Sequence, residues 1–413
     1  MANAVVITAM FLLAINPAVA QQAAVDQNNG VGQYNPLFSL SLPPCAIYCL
    51  GASGTSPYNF PPVPGLQVTG LDAKNGLVGT RTSQVVTDQH LQTQYGENWS
   101  LGVQYEVFHD WLAEGDYLGS NGHHLYSLYN VNRFAGDLIA NGGYTGYNSS
   151  FGFLGYGQAN YNSAYNGGTF SIHNRGFTKG VNFQAAYTFG KVTDQAQTFY
   201  VEPVDPLNLK AERGRADFNV ARRLSFSTLW QVPHFGSISP IANIFLNGWQ
   251  LSNITILQTG TPFTVFCGAS FPTCDYNADG TTNDRPNVAS GVPIGGFSKN
   301  QFLNTGVFSC TPTTPMCGNL FPAPALGQLG NVGRNTFDGP GYINTDFSAT
   351  KRTHIPWIVG QEGAQLEFRA EFFNVFNRVN LTGVNNDIAG GGFGFANGAF
   401  PARDIQFGLR IEF

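Results

Sequence analysis

With 413 residues the chain is long enough for several soluble domains or one large barrel. Charged residues make up only 11%, against roughly a quarter in ordinary globular proteins, while aromatics reach 14% and there are 50 glycines. Mean hydropathy near zero excludes a bundle of membrane helices, and a net charge of −5 without a basic cluster argues against a nucleic-acid partner.

What this composition fits is a set of strands with one lipid face and one wet face; a large soluble all-β protein is the competing class. In chain order, the first feature is an apolar run from Ala4 to Ile15, interrupted by Thr8 and shorter than the ~20 residues of a membrane-spanning helix. It precedes Ala18-Val19-Ala20, which looks like a signal-peptidase site, but no Lys or Arg stands before it. Residues 1–15 therefore read either as a poorly formed signal peptide or as a first barrel strand. Residues 16–96 are expected to be an outer loop region holding Cys45 and Cys49.

From there period-two alternation dominates. In Asn98–Val107 the residues Trp99, Leu101, Val103, Tyr105 and Val107 share one face. In Val181–Phe189 the shared face is Val181, Phe183, Ala185, Tyr187 and Phe189. In Gln365–Phe372, Leu366, Phe368, Ala370 and Phe372 alternate with Gln365, Glu367, Arg369 and Glu371. The last segment is the cleanest, with Ile405, Phe407, Leu409, Ile411 and Phe413 between Asp404, Gln406, Gly408, Arg410 and Glu412. No helix keeps such a set on one side. Looser alternation marks Trp111–Gly119, Gly168–Asn174, Asp217–Val232, Trp249–Gln258 and Tyr342–Lys351.

The connections between these segments alternate short and long. Turns after Val107, around Arg175–Gly180, at Pro233–Gly248 and at Thr353–Ala364 are short or modest. Those at 120–167, Lys191–Arg215, Gly260–Gly341 and Asn377–Arg403 are long. Outer-membrane barrels show this asymmetry, with short periplasmic turns and long extracellular loops. Trp111, Trp230, Trp249 and Trp357, four of the five tryptophans, fall at the short-turn ends, as an interfacial aromatic girdle would. Counting residues 3–15 as a strand gives ten and an even number, the norm for such barrels. The expected fold is thus an all-β, antiparallel up-and-down transmembrane β-barrel spanning residues 97–413 plus that first strand, located in the bacterial outer membrane.

The six cysteines form three close pairs, Cys45 with Cys49, Cys267 with Cys274 and Cys310 with Cys317, in Gly/Pro/Ser/Thr-rich segments on the long-loop side. Local disulfides in an oxidising compartment are expected; metal ligation is the alternative, disfavoured because no His lies near any pair. A calcium-loop opening stands at Asp275-Tyr276-Asn277-Ala278-Asp279-Gly280, with further oxygens on Asn283 and Asp284. Pro286 occupies the position where the bidentate Glu belongs, and a solvated Asx/Gly turn is the bland reading. His123-His124 is expected just beyond a strand end, where adjacent side chains point opposite ways and chelate poorly. Gly390–Gly394 lacks the helix and Lys of a phosphate loop and reads as a loop. No nucleophile is found with a nearby base, so no catalytic residue is assigned.

Several segments together resemble TonB-dependent outer-membrane receptors of the Oar-like group: Asn247–Val265 (NGWQLSNITILQTGTPFTV), Asn283–Asn287 (NDRPN), Gly330–Thr336 (GNVGRNT), Phe368–Asn377 (FRAEFFNVFN) and Ile405–Phe413 (IQFGLRIEF). The likeness covers roughly residues 95–413. It implies a 22-stranded barrel around a plug domain, ligand uptake energised through TonB, and insertion by the barrel-assembly machinery through the terminal strand residues Phe407, Leu409, Ile411 and Phe413. No plug domain is read in this chain, so the expectation is the C-terminal part of such a barrel in contact with outer-membrane lipid, with TonB as partner only through an upstream plug. A self-contained small barrel or surface adhesin acting through its loops, and a secreted soluble β-protein, are the alternatives.

Overall fold

The computed structural model describes residues 5–15, 82–149, 151–174, 180–196, 202–236, 239–288, 295–298, 301–303, 321–355 and 364–412. In chain order the strands are β1 (Val5–Ile15), β2 (Thr82–Thr87), β3 (Tyr95–Phe108), β4 (Trp111–Asn130), β5 (Phe151–Asn174) and β6 (Val181–Asp194). Next come β7 (Gly214–Arg215), β8 (Arg222–Gln231), β9 (Trp249–Gln258), β10 (Pro262–Phe263), β11 (Gly295–Ser298) and β12 (Gln301–Leu303). The remainder are β13 (Phe337–Asp338), β14 (Tyr342–Ile355), β15 (Ala364–Phe373), β16 (Leu381–Thr382), β17 (Gly398–Ala399) and β18 (Asp404–Glu412). Among the described residues two short α-helices interrupt them, α1 (Asp137–Asn141) and α2 (Pro240–Leu246), with one 3-10 turn at Leu209–Glu212. Among the described residues no helix is long and apolar enough to cross a membrane.

One 12-stranded sheet organises the chain: ten strands run in the order β1-β3-β4-β5-β6-β8-β9-β14-β15-β18, and β2 and β7 pair with β5 and β6 off that path. The order follows the sequence and every step along that path is antiparallel, so the sheet is an up-and-down meander. Residues 5–15 take the strand form, Val5 opposite Tyr105 and Ile15 opposite Tyr95. Among the described residues β1 and β18 bound the sheet as an open arc.

Register turns the local alternation into a property of the whole sheet. Directly opposed residues lie on one face, and Val181, Trp230, Leu251, Ala349, Ala370 and Phe407 form one continuous row across β6, β8, β9, β14, β15 and β18. The adjacent row, Asn182, Leu229, Ser252, Ser348, Glu371 and Gln406, is polar except for Leu229. On β3, β4 and β5 the apolar face continues through Leu101, Tyr117 and Gly168, and through Tyr105, Ala113 and Ile172. Gly119 meets Trp99 on this face so closely that a Cβ would stand 2.0 Å from the indole, which fixes glycine there. The polar side also carries scattered apolar residues, Leu112 and Leu118 on β4, Leu229 on β8 and Ile254 and Ile256 on β9. The apolar face is not covered: Leu101, Val103, Phe170, Phe189, Leu224, Phe407 and Leu409 are all exposed. A soluble sandwich would bury them; lipid makes burial by protein unnecessary.

The long strands differ most from expectation. Alternation marked only Trp111–Gly119 and Gly168–Asn174, yet β4 runs 20 residues and β5 runs 24. At ~3.3 Å per residue β5 is roughly 80 Å long, far taller than a bilayer core. Beside its outer half both faces of β4 are covered by protein, Tyr126 and Leu128 on one side and Ser127 and Tyr129 on the other, so no polar–apolar period appears, while the backbone ladder still pairs. That overhang also bears on residues 16–96, expected to be loop: Thr82–Thr87 form a strand and β3 already starts at Tyr95, while residues 16–81 lie outside the described residues. β6 pairs with β5 only from Ala164 onward, and β2 runs parallel along the edge left free, Thr82 opposite Phe151 and Thr87 opposite Gly157. An unpaired ladder edge invites such a strand. β8 starts at Arg222 rather than Asp217, because Asp217 is engaged by the loops. The turn Pro233–Gly248 contains α2, capped by Ser239 Oγ accepting from Ala242 N–H at 3.2 Å, with Pro240 in its first turn. α2 places exposed Ile244, Phe245 and Leu246 beside Trp249, whose indole donates to the Phe245 carbonyl at 2.8 Å. Trp111, Trp230 and Trp249 do cluster at the short-turn end; Trp357 lies outside the described residues.

The larger buried core sits in the long loops; a smaller one, Tyr126 and Leu128 with Val85 and Leu91, lies against the outer part of the sheet. Val265, Cys267, Cys274, Tyr276, Phe321, Val332, Phe337, Ile388 and Phe393 pack together from the β9–β14 and β15–β18 connections. Phe321 lies edge-on to both Phe337 and Phe393, at 5.6 and 5.8 Å. The Cys267–Cys274 disulfide belongs to this core, its Cα atoms 5.4 Å apart. Cys45, Cys49, Cys310, Cys317 and the terminal Phe413 lie outside the described residues.

Candidate functional site: a buried hub joining the long loops

Four separate long connections meet around this core, and arginines lock them. Arg133, just beyond β4, is buried and donates to Asp279 Oδ2 at 2.5 Å and to Thr281 Oγ1 at 2.8 Å. The same guanidinium donates to the Pro203 carbonyl and stands 3.6 Å from Glu202 in the β6–β8 connection. Arg285 pairs with Glu212 at 2.5 Å. Arg334 pairs with Asp194 and, at 3.3 Å, with Asp217. Asn335 donates to the Arg215 carbonyl at 2.7 Å, and its amide oxygen accepts from the Thr264 hydroxyl at 3.0 Å. Asp387 anchors the last long loop by accepting from Gly268 N–H at 2.8 Å. Buried pairs of this kind are costly to break from one side, so the hub holds the loops in one arrangement.

The calcium-loop residues lie inside the hub. Asp275 accepts from Asp279 N–H at 3.0 Å and Gly280 N–H at 2.8 Å, and Asn277 Oδ1 accepts from Asp279 N–H at 3.0 Å. Asp279 Oδ1 accepts from Thr281 N–H at 2.9 Å. Asp284 Oδ2 accepts from Asn277 N–H at 2.7 Å. Asn283 donates to the Glu202 carbonyl at 2.9 Å. Ala278 and Gly280 take positive φ, 55° and 88°, which winds the loop tightly. Asp275, Asn277, Asp279 and Asp284 are all buried, contrary to a solvated surface turn. Among the described residues no three His, Cys, Asp or Glu side chains converge as a metal cage. Burial pushes the Asp284 carboxyl up to about 7, reinforced by the charges of Asp279 and Asp275. Glu202 and Asp275 are also pushed up, chiefly by burial, with Arg133 opposing the rise at Glu202.

The histidine pair sits within β4, not past its end. A bulge between Gly122 and Leu125, with His124 at φ 55°, turns both rings toward Tyr95, at centroid distances of 4.7 and 5.6 Å. His123 also lies 3.4 Å from Glu97. Gly390–Gly394 is a turn of the last long loop, with positive φ at Gly392 and Gly394. A cleft of about 330 Å³ opens against the hub, walled by Phe134, Tyr147, Val204 and Leu207 around Arg133 and Asp279. Sequence reasoning missed Arg133 and Glu202 altogether. Arg285 and Arg334 stand in the NDRPN and GNVGRNT segments, but nothing local marked them as inter-loop locks.

An open meander with one apolar face, short turns at one end and interlocked loops at the other is the architecture on the page. The profile of the outer membrane beta barrel domain family matches residues 8–406. The chain belongs to that family. Its location is accordingly the bacterial outer membrane, and the uncovered apolar face of the barrel domain meets lipid. No curated protein matches the chain. Solved structures with similarity include the outer membrane transporter YddB from Escherichia coli, at 12% identity and TM-score 0.44, covering 81% of this chain and 34% of that one. Pseudomonas aeruginosa FpvA bound to a heterologous pyoverdine–iron complex follows at 12% identity and TM-score 0.38, covering 77% and 27%. The FrpB iron transporter from Neisseria meningitidis is similar at 11% identity and TM-score 0.36, covering 79% and 32%. This barrel domain thus spans about a third of the length of those proteins.

Proposed function

We propose that this chain is the C-terminal arc of a TonB-dependent outer-membrane receptor barrel and that it serves ligand uptake, not catalysis, within the full-length protein. The observation that carries the reading is the union of a lipid-facing meander with long loops fastened into one rigid cap. The segments that resemble the receptor family supply the fastenings: Asp284, Arg285, Arg334 and Asn335 are all hub residues. The open edges of β1 and β18 support a larger barrel, since backbone groups unpaired in lipid cost several kcal/mol each. TonB is a partner in this reading only where the full-length protein carries a plug domain. The barrel-assembly machinery would read the exposed row Phe407, Leu409 and Ile411 of β18.

The test compares the 413-residue chain with the product of the whole locus, each folded in detergent and run on gels with and without heating. Only the longer product should show the compact, heat-modifiable, protease-resistant band of a closed barrel. A compact resistant monomer from the chain alone would favour the self-contained barrel.

A further inference from the structure

The hub carries more carboxyl groups than its arginine answers. Asp275, Asp279 and Asp284 are each at least 98% buried, and Glu202 stands beside the same guanidinium. Among the described residues Arg133 is the counter-charge to these four carboxyl groups when they ionise, because Arg285, the neighbour of Asp284, is held by Glu212. Buried charge without a counter-charge is expensive. Among the described residues the hub holds three buried polar atoms without a hydrogen-bond partner: the donor Arg133 Nε and two acceptors. Asp284 Oδ1 is buried and accepts no hydrogen bond, although its partner oxygen is satisfied by Asn277 N–H. The preceding residue repeats the pattern: Asn283 Oδ1 is buried and unpartnered while its amide nitrogen donates to Glu202. Native structures leave few buried acceptors unmet, and two on consecutive residues mark a place where something binds.

Chemistry selects what binds there. Both orphaned acceptors are hard oxygens, one on a carboxyl group that is anionic once ionised and one on an amide, inside a carboxyl-rich hub. A further hydrogen-bond donor would answer one oxygen but not the charge. A divalent cation answers both, and calcium accepts carboxylate, amide and water oxygens in flexible geometry. We propose that the loop hub binds a single calcium ion through Asp284 and Asn283, with water completing the shell, and that the ion rigidifies the outer loops. The set differs from a twelve-residue calcium loop. Asp275 and Asn277 bind backbone amides and Asp279 binds Arg133, so these three shape the loop and supply field instead of ligation. With two protein oxygens identified, affinity belongs in the weak extracellular range of ~10⁻⁴–10⁻³ M. The inference stands on the hub alone and is independent of which ligand the barrel carries.

The experiment uses protein extracted from the outer membrane in mild detergent, stripped with chelator, and titrated with calcium chloride in equilibrium dialysis, with magnesium chloride as the control cation. The expected result is saturable binding of one calcium per chain, at least tenfold weaker in Asp284→Asn and weaker in Asn283→Ala. Absence of saturable binding through millimolar calcium, or unchanged affinity in Asp284→Asn, overturns the proposal. Should Asp284→Asn fail to reach the membrane, Asn283→Asp decides. A second carboxylate at an orphaned acceptor is expected to tighten calcium binding several-fold, and unchanged or weaker binding there also overturns it.

Discussion

Replacing Arg133 by Met keeps much of the side-chain volume and removes the charge at the centre of the hub. Asp279 would lose a 2.5 Å charge-assisted bond, Thr281 and the Pro203 carbonyl would lose a donor, and Glu202 would lose its counter-charge at 3.6 Å. Removing one partner of a buried pair costs ~3–5 kcal/mol, because the other charge stays buried and alone. With 1.36 kcal/mol for each factor of ten, local opening should become about 10²–10⁴ times more frequent. Hydrogen exchange by mass spectrometry reads this directly. Peptides covering Asp275–Arg285 and Val204–Glu212 should lose protection, while β6, β8 and β9, paired across the sheet, should keep theirs. Asp279→Asn added to Arg133→Met should recover part of the loss, since less charge is stranded. If the single variant exchanges like the parent, or if sheet and hub loosen equally, Arg133 is not the lock and the loops are held by their apolar core.

On the lipid face, Leu101→Arg or Phe183→Arg should cost ~2–4 kcal/mol near the midplane, whereas Gln184→Arg on the opposite face should be mild; equal losses in denaturant titration would count against two distinct faces. Opening the Cys267–Cys274 bridge should destabilise the loop core by about 2 kcal/mol and expose it to protease, and non-reducing peptide mapping should find this bridge and a second one joining Cys310 to Cys317. Four alkylated free thiols would refute that pairing. The pH response follows from Asp284, whose carboxyl is lifted to about 7 in the closed hub against an ordinary value of ~3.9 in the open one. Between those values the closed form keeps a proton that the open form has released, so hub stability is full in acid and falls as pH rises toward 7. In chelator, hub protection corrected for intrinsic exchange should decline over that window and then level, and Asp284→Asn should flatten the response.

Strand existence, face and parity were legible in the chain because they are local. Period two in Val181–Phe189, Gln365–Phe372 and Ile405–Phe413 depends only on which side of a strand a residue occupies, and register merely joined those sides into one apolar face. Loop parity and the tryptophan belt were equally readable, since both are counts along the sequence. Where the alternation stops, so did the reading: the outer halves of β4 and β5 are covered on both faces, by apolar Tyr126 and Leu128 on one side and hydrogen-bonded Ser127 and Tyr129 on the other, and their ladder is satisfied by backbone groups that every residue carries. The hub was beyond reach for a different reason. Arg133 and Asp279 are separated by 146 residues and Arg334 and Asp194 by 140, and no local pattern announces an ion pair across such spans. The motif Asp275–Asp284 was visible as a set of oxygens, but which oxygens face amides, which face Arg133 and which are left without a donor depends on packing among loops that only the folded chain brings together.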